Sequence, residues 1–274
     1  MKVGIVTFEQ FNGRTGVGSS RIRGHWLEKY WDEAEIFVQG KKYDAIIYQK
    51  AYWNEHASIF DGKKILDICD PDFLHWGYRT KQMIDEVDAV TTSTEALAEA
   101  FRNFTDKPVV CIPDRIDLSE IKSTKKHKGD TKWVAWYGYS SNFDMLKPVI
   151  PVLHKMGLGL IVISDSAFFV PSLYKDIPLR NLKHSWRTVY QDLLDADVVI
   201  NPQSTRGRWK FKSNNKTIMA WALGLPVAHT VDELKNLLTE EQRIAESKKR
   251  LQEVAEQWDI KLSVDEYKKL LSSL

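Results

Sequence analysis

The alternation of short apolar, β-rich runs with longer helical stretches constrains the fold of this chain more than any other feature. Six runs within the first 113 residues have the composition of strands, and three of the segments between them have helical spacing. Strands that alternate with helices form βαβ units, which give a parallel sheet with helices on both faces. The predicted strands are 2–8, 35–38, 43–49, 64–68, 89–92 and 109–112, and the predicted helices are 20–30, 75–84 and 94–103.

The alternation restarts after a polar, basic segment without apolar periodicity, residues 122–130. At 274 residues the chain is about 1.8 times a typical domain. We therefore predict an α/β protein with two Rossmann-like domains that face each other across a cleft, followed by C-terminal helices. The boundaries are 1–121, a linker at 122–130, 131–230 and a helical tail at 231–274. In the second domain the predicted strands are 132–137, 160–163, 182–184, 198–201 and 227–229, and the helices are 143–156, 187–195 and 216–223.

The overall composition excludes several classes of protein. Hydrophobic residues make up 43% and charged residues 28%, which is too apolar for a disordered chain. Two cysteines are too few for a secreted disulfide scaffold. No apolar run reaches the ~18 residues of a membrane span, and no signal peptide is recognisable. We expect a cytoplasmic protein whose net charge of +2 neither requires nor excludes a polyanionic partner.

The near-neutral charge conceals a stretch without any Asp or Glu, residues 198–231. Its cations lie in a loop that runs into a predicted helix, and this arrangement favours a diphosphate because it combines point charges with a helix N-terminus. The turn after the first strand of the second domain, with Gly138, Ser140 and Ser141, can add backbone amides. The predicted diphosphate-binding residues of the loop and helix are Arg206, Lys210, Lys212, Asn215 and Lys216.

A glycine-rich segment, residues 11–24, lies between the first strand and the first helix. Its spacing is neither that of the dinucleotide fingerprint nor that of a Walker A motif. Glycines allow positive φ and close backbone approach, and arginines add positive charge, so we expect this segment to bind an anion. The candidate residues are Gly16, Gly18, Ser19, Arg21 and Arg23.

Three titratable residues follow another predicted strand on the same rim of the first sheet: Asp70, Asp72 and His75. The spacing of Asp70 and Asp72 matches a carboxylate pair that holds a divalent metal on a diphosphate. Alternatively, one of the three accepts the proton of a substrate hydroxyl, or Asp-Pro-Asp is only a turn. Two tryptophans at element edges, Trp186 and Trp209, are candidates for stacking on a sugar or a base.

Several of these segments together resemble the GT-B glycosyltransferases, especially the retaining, nucleotide-sugar-dependent group. Residues 90–98 are similar to the family's v-t-x-S-e-x-l segment, and residues 111–117 are similar to its v-I-P-N-G-v-D segment. Asn215-Lys216 followed by residues 222–227 is similar to the n-K and a-x-G-x-P-V element that holds the donor diphosphate. The resemblance covers about residues 90–229, in the family's order.

The resemblance implies that the second domain binds a nucleotide-sugar donor and that the first binds a hydroxyl acceptor. The acceptor is a glycan, a lipid, a small molecule or a hydroxylated DNA base. It also implies that no protein nucleophile is needed, that the diphosphate itself can take the acceptor proton, and that no tightly bound cofactor or divalent metal is required. The sequence departs from the family at Met219, where a Glu usually bonds the ribose, and at 139–142, where Arg and Lys are usual.

Two alternative functions remain open at this point. One is a metal-dependent transferase that uses Asp70 and Asp72. The other is a catalytically silent module that binds a nucleotide sugar, which Met219 suggests.

Overall fold

A computed structural model describes residues 1–203 and 207–274, except for the side chain of Trp76. Arg206, one of the predicted diphosphate ligands, lies outside the described residues. The chain divides into two compact units. Of the described residues, unit 1 holds 1–117, 207–214 and 258–274, and unit 2 holds 118–203 and 215–257.

Each unit is built on one parallel sheet. Unit 1 has six strands in the order β2-β1-β3-β4-β5-β6, and unit 2 has five in the order β11-β10-β7-β8-β9. All paired strands run parallel, so the predicted fold class of two parallel α/β units is confirmed. The strands are β1 (Val3–Val6), β2 (Ala34–Ile36), β3 (Ala45–Gln49), β4 (Lys63–Ile68), β5 (Ala89–Thr92), β6 (Val109–Cys111), β7 (Trp133–Tyr137), β8 (Gly159–Ser164), β9 (Leu179–Lys183), β10 (Val198–Ile200) and β11 (Val227–Ala228).

The helices cover the two sheets and include the predicted C-terminal helices. Helices α2 and α3 are joined without a break by a π-helical turn, Arg21–His25, so that residues 18–30 form one helical run. The helices are α1 (Phe8–Asn12), α2 (Gly18–Ser20), α3 (Trp26–Tyr30), α4 (Asn54–Ile59), α5 (Phe73–Glu86), α6 (Glu95–Arg102), α7 (Ile150–Met156), α8 (Val189–Leu194), α9 (Asn215–Ala222), α10 (Val231–Lys235), α11 (Glu240–Gln257) and α12 (Ile260–Ser273).

Strands buried on both faces explain the continuous apolar runs of the sequence. In unit 1, Ile5, Ile47 and Leu66 are fully buried, and in unit 2 Val134 and Val162 are fully buried. Parallel sheets covered by helices on both sides require such residues along the whole strand. Their carboxyl ends, where the apolar runs stop, are the positions open to polar function.

Two prolines delay the helix predicted at 143–156. A 3₁₀ segment, Ser140–Leu146, occupies its beginning, and α7 starts only at Ile150 with Pro151 in its first turn. Proline lacks the amide that a helix interior requires but fits the first turn, where that amide has no partner. Pro148 and Pro151 therefore explain why the helix starts later than residue 143.

The C-terminal residues are shared between the units rather than forming one tail. Helices α10 and α11 belong to unit 2, and α12 belongs to unit 1. Tyr267 of α12 stacks on Trp31, with ring centroids 6.3 Å apart, and its hydroxyl donates a hydrogen bond to Asp67 at 2.8 Å. These contacts join residues far apart in sequence, which periodicity alone does not reveal.

The segment 122–130, predicted as a linker, is packed into unit 2. His127 is buried, and its Nε2 lies 2.9 Å from the carbonyl oxygen of Gly224. Arg243 is fully buried beside it and donates to Thr131 at 2.6 Å. No helix in the part of the chain that the structure describes combines the length and apolarity needed to cross a bilayer.

Candidate active site

The turn that follows β7 brings the backbone of unit 2 close to a lysine. Gly138 has a φ of 153°, and a Cβ at this position would collide with Nζ of Lys216 and crowd the ring of Trp136. Any other residue would push the ammonium away. Glycine at 138 therefore provides the room in which the Lys216 side chain lies.

Lys216 is fixed in the first turn of α9. Its Nζ lies 5.3 Å from the centre of the Trp136 ring, within the range of a cation–π contact. Its carbonyl oxygen accepts a hydrogen bond from the Tyr137 hydroxyl. Burial holds the pKa of Tyr137 well above its usual value, so this donor stays protonated. An ammonium group is thus held at the carboxyl edge of the sheet, where the helix dipole also favours an anion.

Ser140, predicted to offer its amide to a phosphate, is bonded to a carboxylate instead. Its N–H donates to Asp165 Oδ1 at 2.7 Å and its hydroxyl donates to Oδ2 at 2.9 Å. These bonds hold the pKa of Asp165 below its usual value. The N–H of Gly138 is likewise bonded to the carbonyl of Ile163, so both amides are hydrogen-bonded within unit 2. Ser141 is exposed.

Two aromatic rings follow β9 on the same edge of the unit 2 sheet. His184 and Trp186 meet edge to face, with ring centroids 5.1 Å apart, and both are half-buried. Burial lowers the pKa of His184, which favours a neutral imidazole at neutral pH. Trp186, a predicted stacking residue, lies at this edge.

The start of α9 is tied to the neighbouring strand. Asn201, after β10, donates to Thr217 Oγ1 at 3.1 Å, and its carbonyl oxygen lies 2.9 Å from Nδ1 of His229. Asn215, the first residue of α9, is half-buried. Met219, at the position where the GT-B enzymes usually have a Glu, is 6% exposed and therefore buried.

The remaining basic residues of the acid-free stretch pack in unit 1. We call residues 207–214 the strap. Phe211 is its anchor: it is buried, meets the Phe73 ring at 5.5 Å, and its carbonyl accepts a hydrogen bond from Thr94. Ser213 donates to Asp114 Oδ2 at 2.6 Å. The strap therefore follows the surface of unit 1, although the residues on both sides of it belong to unit 2.

Lys212 pairs with a carboxylate of unit 1. Its Nζ lies 2.5 Å from Asp70 Oδ1, so two residues predicted for opposite halves of the site are joined. Lys210 and Trp209 also lie in the strap, with the Lys210 Nζ 4.6 Å from the Phe211 ring. These strap residues belong to unit 1, whereas Lys216, predicted with them to bind the diphosphate, belongs to unit 2.

Asp70 lies between two ammonium groups. Lys50 Nζ is 2.7 Å from Oδ2, and Lys212 occupies the other oxygen. Burial alone would raise the pKa of Asp70, but the two cations lower it below its usual value. Asp70 is therefore ionised and fully paired.

Asp72 has a different environment from Asp70. Its Oδ2 accepts a hydrogen bond from the Tyr52 hydroxyl at 2.9 Å, and Lys50 lies 3.6 Å from Oδ1. Burial and the nearby charge of Asp70 raise the pKa of Asp72. His75, the third predicted residue, is exposed in the first turn of α5. The two carboxyl groups therefore differ. Asp70 is ion-paired through both oxygens and has a lowered pKa, whereas Asp72 has a raised pKa.

A backbone amide of the glycine-rich segment is hydrogen-bonded to the carboxylate of Glu9. The N–H of Val17, just before α2, donates to Glu9 Oε1 at 3.0 Å. Gly13 and Gly16 have positive φ values of 61° and 74°, as predicted for this loop. Gly18 and Ser19, both half-buried, begin the helical run, and Arg21 lies 5.5 Å from the Trp26 ring.

Arg23 has a structural role, which replaces the predicted one at the glycine-rich segment. It is 3% exposed and forms a bidentate pair with Asp67, at 2.8 and 2.6 Å. It also donates to Asp114 and to the carbonyl of Ile112, both at 2.9 Å. The side chain points inward because two buried carboxylates require a cation there.

No family model matches the chain, and no curated protein sequence matches it. Several solved structures do. HepE of Anabaena, determined with UDP, aligns with a TM-score of 0.66 at 13% identity over all of both chains. The lipopolysaccharide outer core galactosyltransferase WaaB, in its apo form, also gives 0.66, at 9% identity over all of both chains. The BGT of T4 phage, determined with UDP-glucose, gives 0.60 at 13% identity over 99% of each chain.

The chain has the GT-B glycosyltransferase fold. At these identities the similarity concerns the fold alone. It agrees with the resemblance of residues 90–98, 111–117 and 215–227 to sequence segments of the GT-B enzymes.

The carboxylate pair that suggested a divalent metal, Asp70 and Asp72, contacts lysine ammonium groups in unit 1. Among the described residues, no three His, Cys, Asp or Glu side chains converge on one point. Both carboxylate oxygens of Asp70, which would bind the metal, already contact the ammonium groups of Lys50 and Lys212. A divalent cation would have to displace them.

Sequence reasoning missed several polar residues of this GT-B fold. Lys50 and Tyr52 follow β3, and Asp165 follows β8, all at carboxyl ends of strands. The rule that singled out Asp70 after β4 applies to them equally. A single lysine or aspartate after an apolar run carries no motif, however, and so gives only this positional signal.

Proposed function

We propose that this chain is a glycosyltransferase that moves a sugar from a nucleotide-diphosphate sugar to a hydroxyl acceptor. One observation carries the proposal: the ammonium of Lys216 is held against Gly138 at the carboxyl edge of unit 2, in the first turn of a helix. The GT-B fold supports it, because HepE and the T4 phage BGT, which share that fold, were determined with UDP and with UDP-glucose.

The chemistry requires positive charge at the leaving group. The bond between the anomeric carbon and the diphosphate oxygen breaks, and the acceptor oxygen forms the new bond to that carbon. Negative charge grows on the diphosphate, so a fixed cation stabilises the transition state more than the ground state. Lys216 supplies this cation, and Asn215, which precedes it in sequence, and Ser141, in the segment that follows Gly138, are further hydrogen-bonding groups. Gly138 contributes room rather than a donor.

Among the three candidates of unit 1, Asp72 best fits the role of proton acceptor. Both oxygens of Asp70 are occupied by ammonium groups, whereas Asp72 faces a neutral hydroxyl and a more distant lysine. Its raised pKa makes it the stronger base. In this proposal Asp72 takes the proton of the acceptor hydroxyl, in place of the diphosphate oxygen that the resemblance to the retaining enzymes implies.

Divalent metal is not required in this proposal. Lys216 provides positive charge for the diphosphate, and Asp70 is neutralised by lysines rather than prepared for a cation. Transfer should therefore continue in EDTA. Loss of transfer in EDTA, restored by Mg²⁺ or Mn²⁺, would favour the metal-dependent alternative.

Mass spectrometry of acceptors tests the function. The protein is incubated with UDP-, GDP-, ADP- and dTDP-sugars, and with glycan, lipid, small-molecule and hydroxymethylated-DNA acceptors. We expect a hexose or pentose mass increment on one acceptor class. Binding of a nucleotide sugar without any transfer across all classes would instead indicate the silent module suggested by the buried Met219.

A further inference from the structure

We propose that Lys50 is a positioning residue of the transfer reaction, whose buried ammonium holds the Asp70 and Asp72 carboxylates so that Asp72 can take the acceptor proton. This inference rests on the proposed function, and it adds a residue that no sequence motif marks. Lys50 acts through the carboxylates and does not itself contact substrate.

The backbone at Lys50 is strained. Its φ is 51°, which makes it the sole non-glycine residue with positive φ in the described part of the chain. A residue with a Cβ pays of order 1–3 kcal/mol for such a conformation, which persists only where the surroundings enforce it. The N–H of Lys50 donates to the carbonyl of Asp67 at 2.9 Å. This geometry directs the Lys50 side chain back over the carboxyl edge of the sheet.

The side chain of Lys50 is enclosed by groups that suit a cation. It is 11% exposed, and its Nζ lies 2.7 Å from Asp70, 3.6 Å from Asp72 and 5.0 Å from the centre of the Phe8 ring. Burial alone would lower the pKa of Lys50, but the neighbouring acids raise it. The ammonium is therefore permanent, and the two carboxylates share one fixed positive charge.

The charge of Lys50 acts on the Asp72 carboxyl, which lies 3.6 Å from it. The groups that act on the Asp72 carboxyl are Lys50, Asp70 and Tyr52, and Cys69 and Lys212 adjoin that cluster. Lys50 lowers the pKa of Asp72, while burial and Asp70 raise it. Removing the Lys50 cation should therefore raise the pKa of Asp72 further, so that Asp72 is deprotonated and available as a base only at higher pH.

The test compares Lys50→Met with Lys50→Arg. Methionine keeps the apolar stem over Phe8 without the charge, and arginine keeps the charge on the same strained backbone. Lys50→Gly is a second neutral variant, because glycine adopts positive φ without strain. Each variant is checked for folding by circular dichroism. Carboxyl ¹³C NMR then follows the titration of Asp72, and the pH dependence of kcat is measured with the nucleotide sugar and acceptor that the wild-type chain uses.

In Lys50→Met and Lys50→Gly, we expect the pKa of Asp72 and the acidic limb of the pH profile of kcat to move to higher pH. In Lys50→Arg, we expect both to stay in place. We expect kcat at neutral pH to fall by on the order of tenfold in the neutral variants, with KM for the donor unchanged. An unshifted Asp72 titration, or an unshifted limb with normal kcat, would overturn the role of Lys50. Absence of transfer by the wild-type chain would instead overturn the proposed function, and the role of Lys50 with it.

Discussion

Lys212 and Asp70, which are 142 positions apart in the sequence, form an ion pair in which Nζ lies 2.5 Å from Oδ1. The second oxygen of the same carboxylate pairs with Lys50 at 2.7 Å. The Lys212 side chain is 46% exposed and that of Lys50 is 11% exposed. One carboxylate therefore has a solvated partner and a buried one.

These two lysines should differ in their contribution to stability. Lys212→Met should lower the free energy of unfolding by at most about 1 kcal/mol, because solvent screens an exposed pair. Lys50→Met should lower it by about 3 kcal/mol, because a buried pair is broken. Urea unfolding of both variants measures the difference. Equal losses would show that the burial of Lys50 does not set its contribution.

The two carboxylates should give opposite pH dependence of stability. The pKa of Asp70 is lowered on folding, so its stabilisation is present above the ordinary value of about 4 and is lost as the pH falls below it. The pKa of Asp72 is raised, so stability declines as the pH rises from about 4 through that higher pKa. Urea unfolding is measured from pH 2.5 to 7. Asp70→Asn should remove the loss of stability at acidic pH, and Asp72→Asn should remove the decline in stability with rising pH. The same sign of change in both variants would contradict the assignment.

Arg23 should behave as a structural residue. Arg23→Leu leaves Asp67 and Asp114 buried without their cation, so the free energy of unfolding should fall by about 3–5 kcal/mol. Arg14→Leu, an exposed change of the same charge, should alter it by less than about 0.5 kcal/mol. Urea unfolding of both variants tests this. If Arg23→Leu lowers the free energy of unfolding by less than about 1 kcal/mol, the structural role is wrong and Arg23 is again a candidate anion ligand of the glycine-rich segment.

The strap should depend on its aromatic anchor. Phe211→Ala removes the buried ring beside Phe73 and should cost about 3 kcal/mol if the strap and unit 1 unfold together. Amide hydrogen exchange within 207–214 should also accelerate, because the strap loses its main apolar contact. Tyr139→Ala, at an exposed aromatic of unit 2, is the control. Unchanged exchange in Phe211→Ala would show that Lys212 and Ser213 hold the strap instead.

The fold was predictable because its signals are local. Each strand of the parallel sheets is an apolar run bounded by polar residues, and this pattern survives in any sequence with buried strands. The short helices α1 and α4 were missed, since five and six residues carry little periodicity. The packing of α12 in unit 1 depends on Tyr267 meeting Trp31 and Asp67, contacts that no local pattern contains.

The sheet edges at which the candidate residues lie were predictable, whereas the partners of their side chains were not. Lys216 and Asp70 lie at carboxyl edges, as expected for residues that end an apolar run or begin the following helix. Burial decided the rest: Arg23 points inward to two carboxylates, and Ser140 is bonded to Asp165. Lys212 lies in unit 1 because Phe211, the residue before it, fills an apolar position there. Charge along a sequence does not show which of these side chains is paired.

Isothermal titration calorimetry of UDP and UDP-glucose, with GDP and ADP and their sugars as further ligands, tests the central claim most directly. The variants are Lys216→Ala, which removes the ammonium held at Gly138, and Lys147→Ala, which removes an exposed lysine of the same unit. We predict that the wild-type chain and Lys147→Ala bind one of these nucleotides with equal affinity, and that Lys216→Ala binds it roughly tenfold more weakly, as expected for a charge-assisted contact with phosphate. Equal affinity in all three proteins, or no binding of any nucleotide by the wild-type chain, would contradict the account.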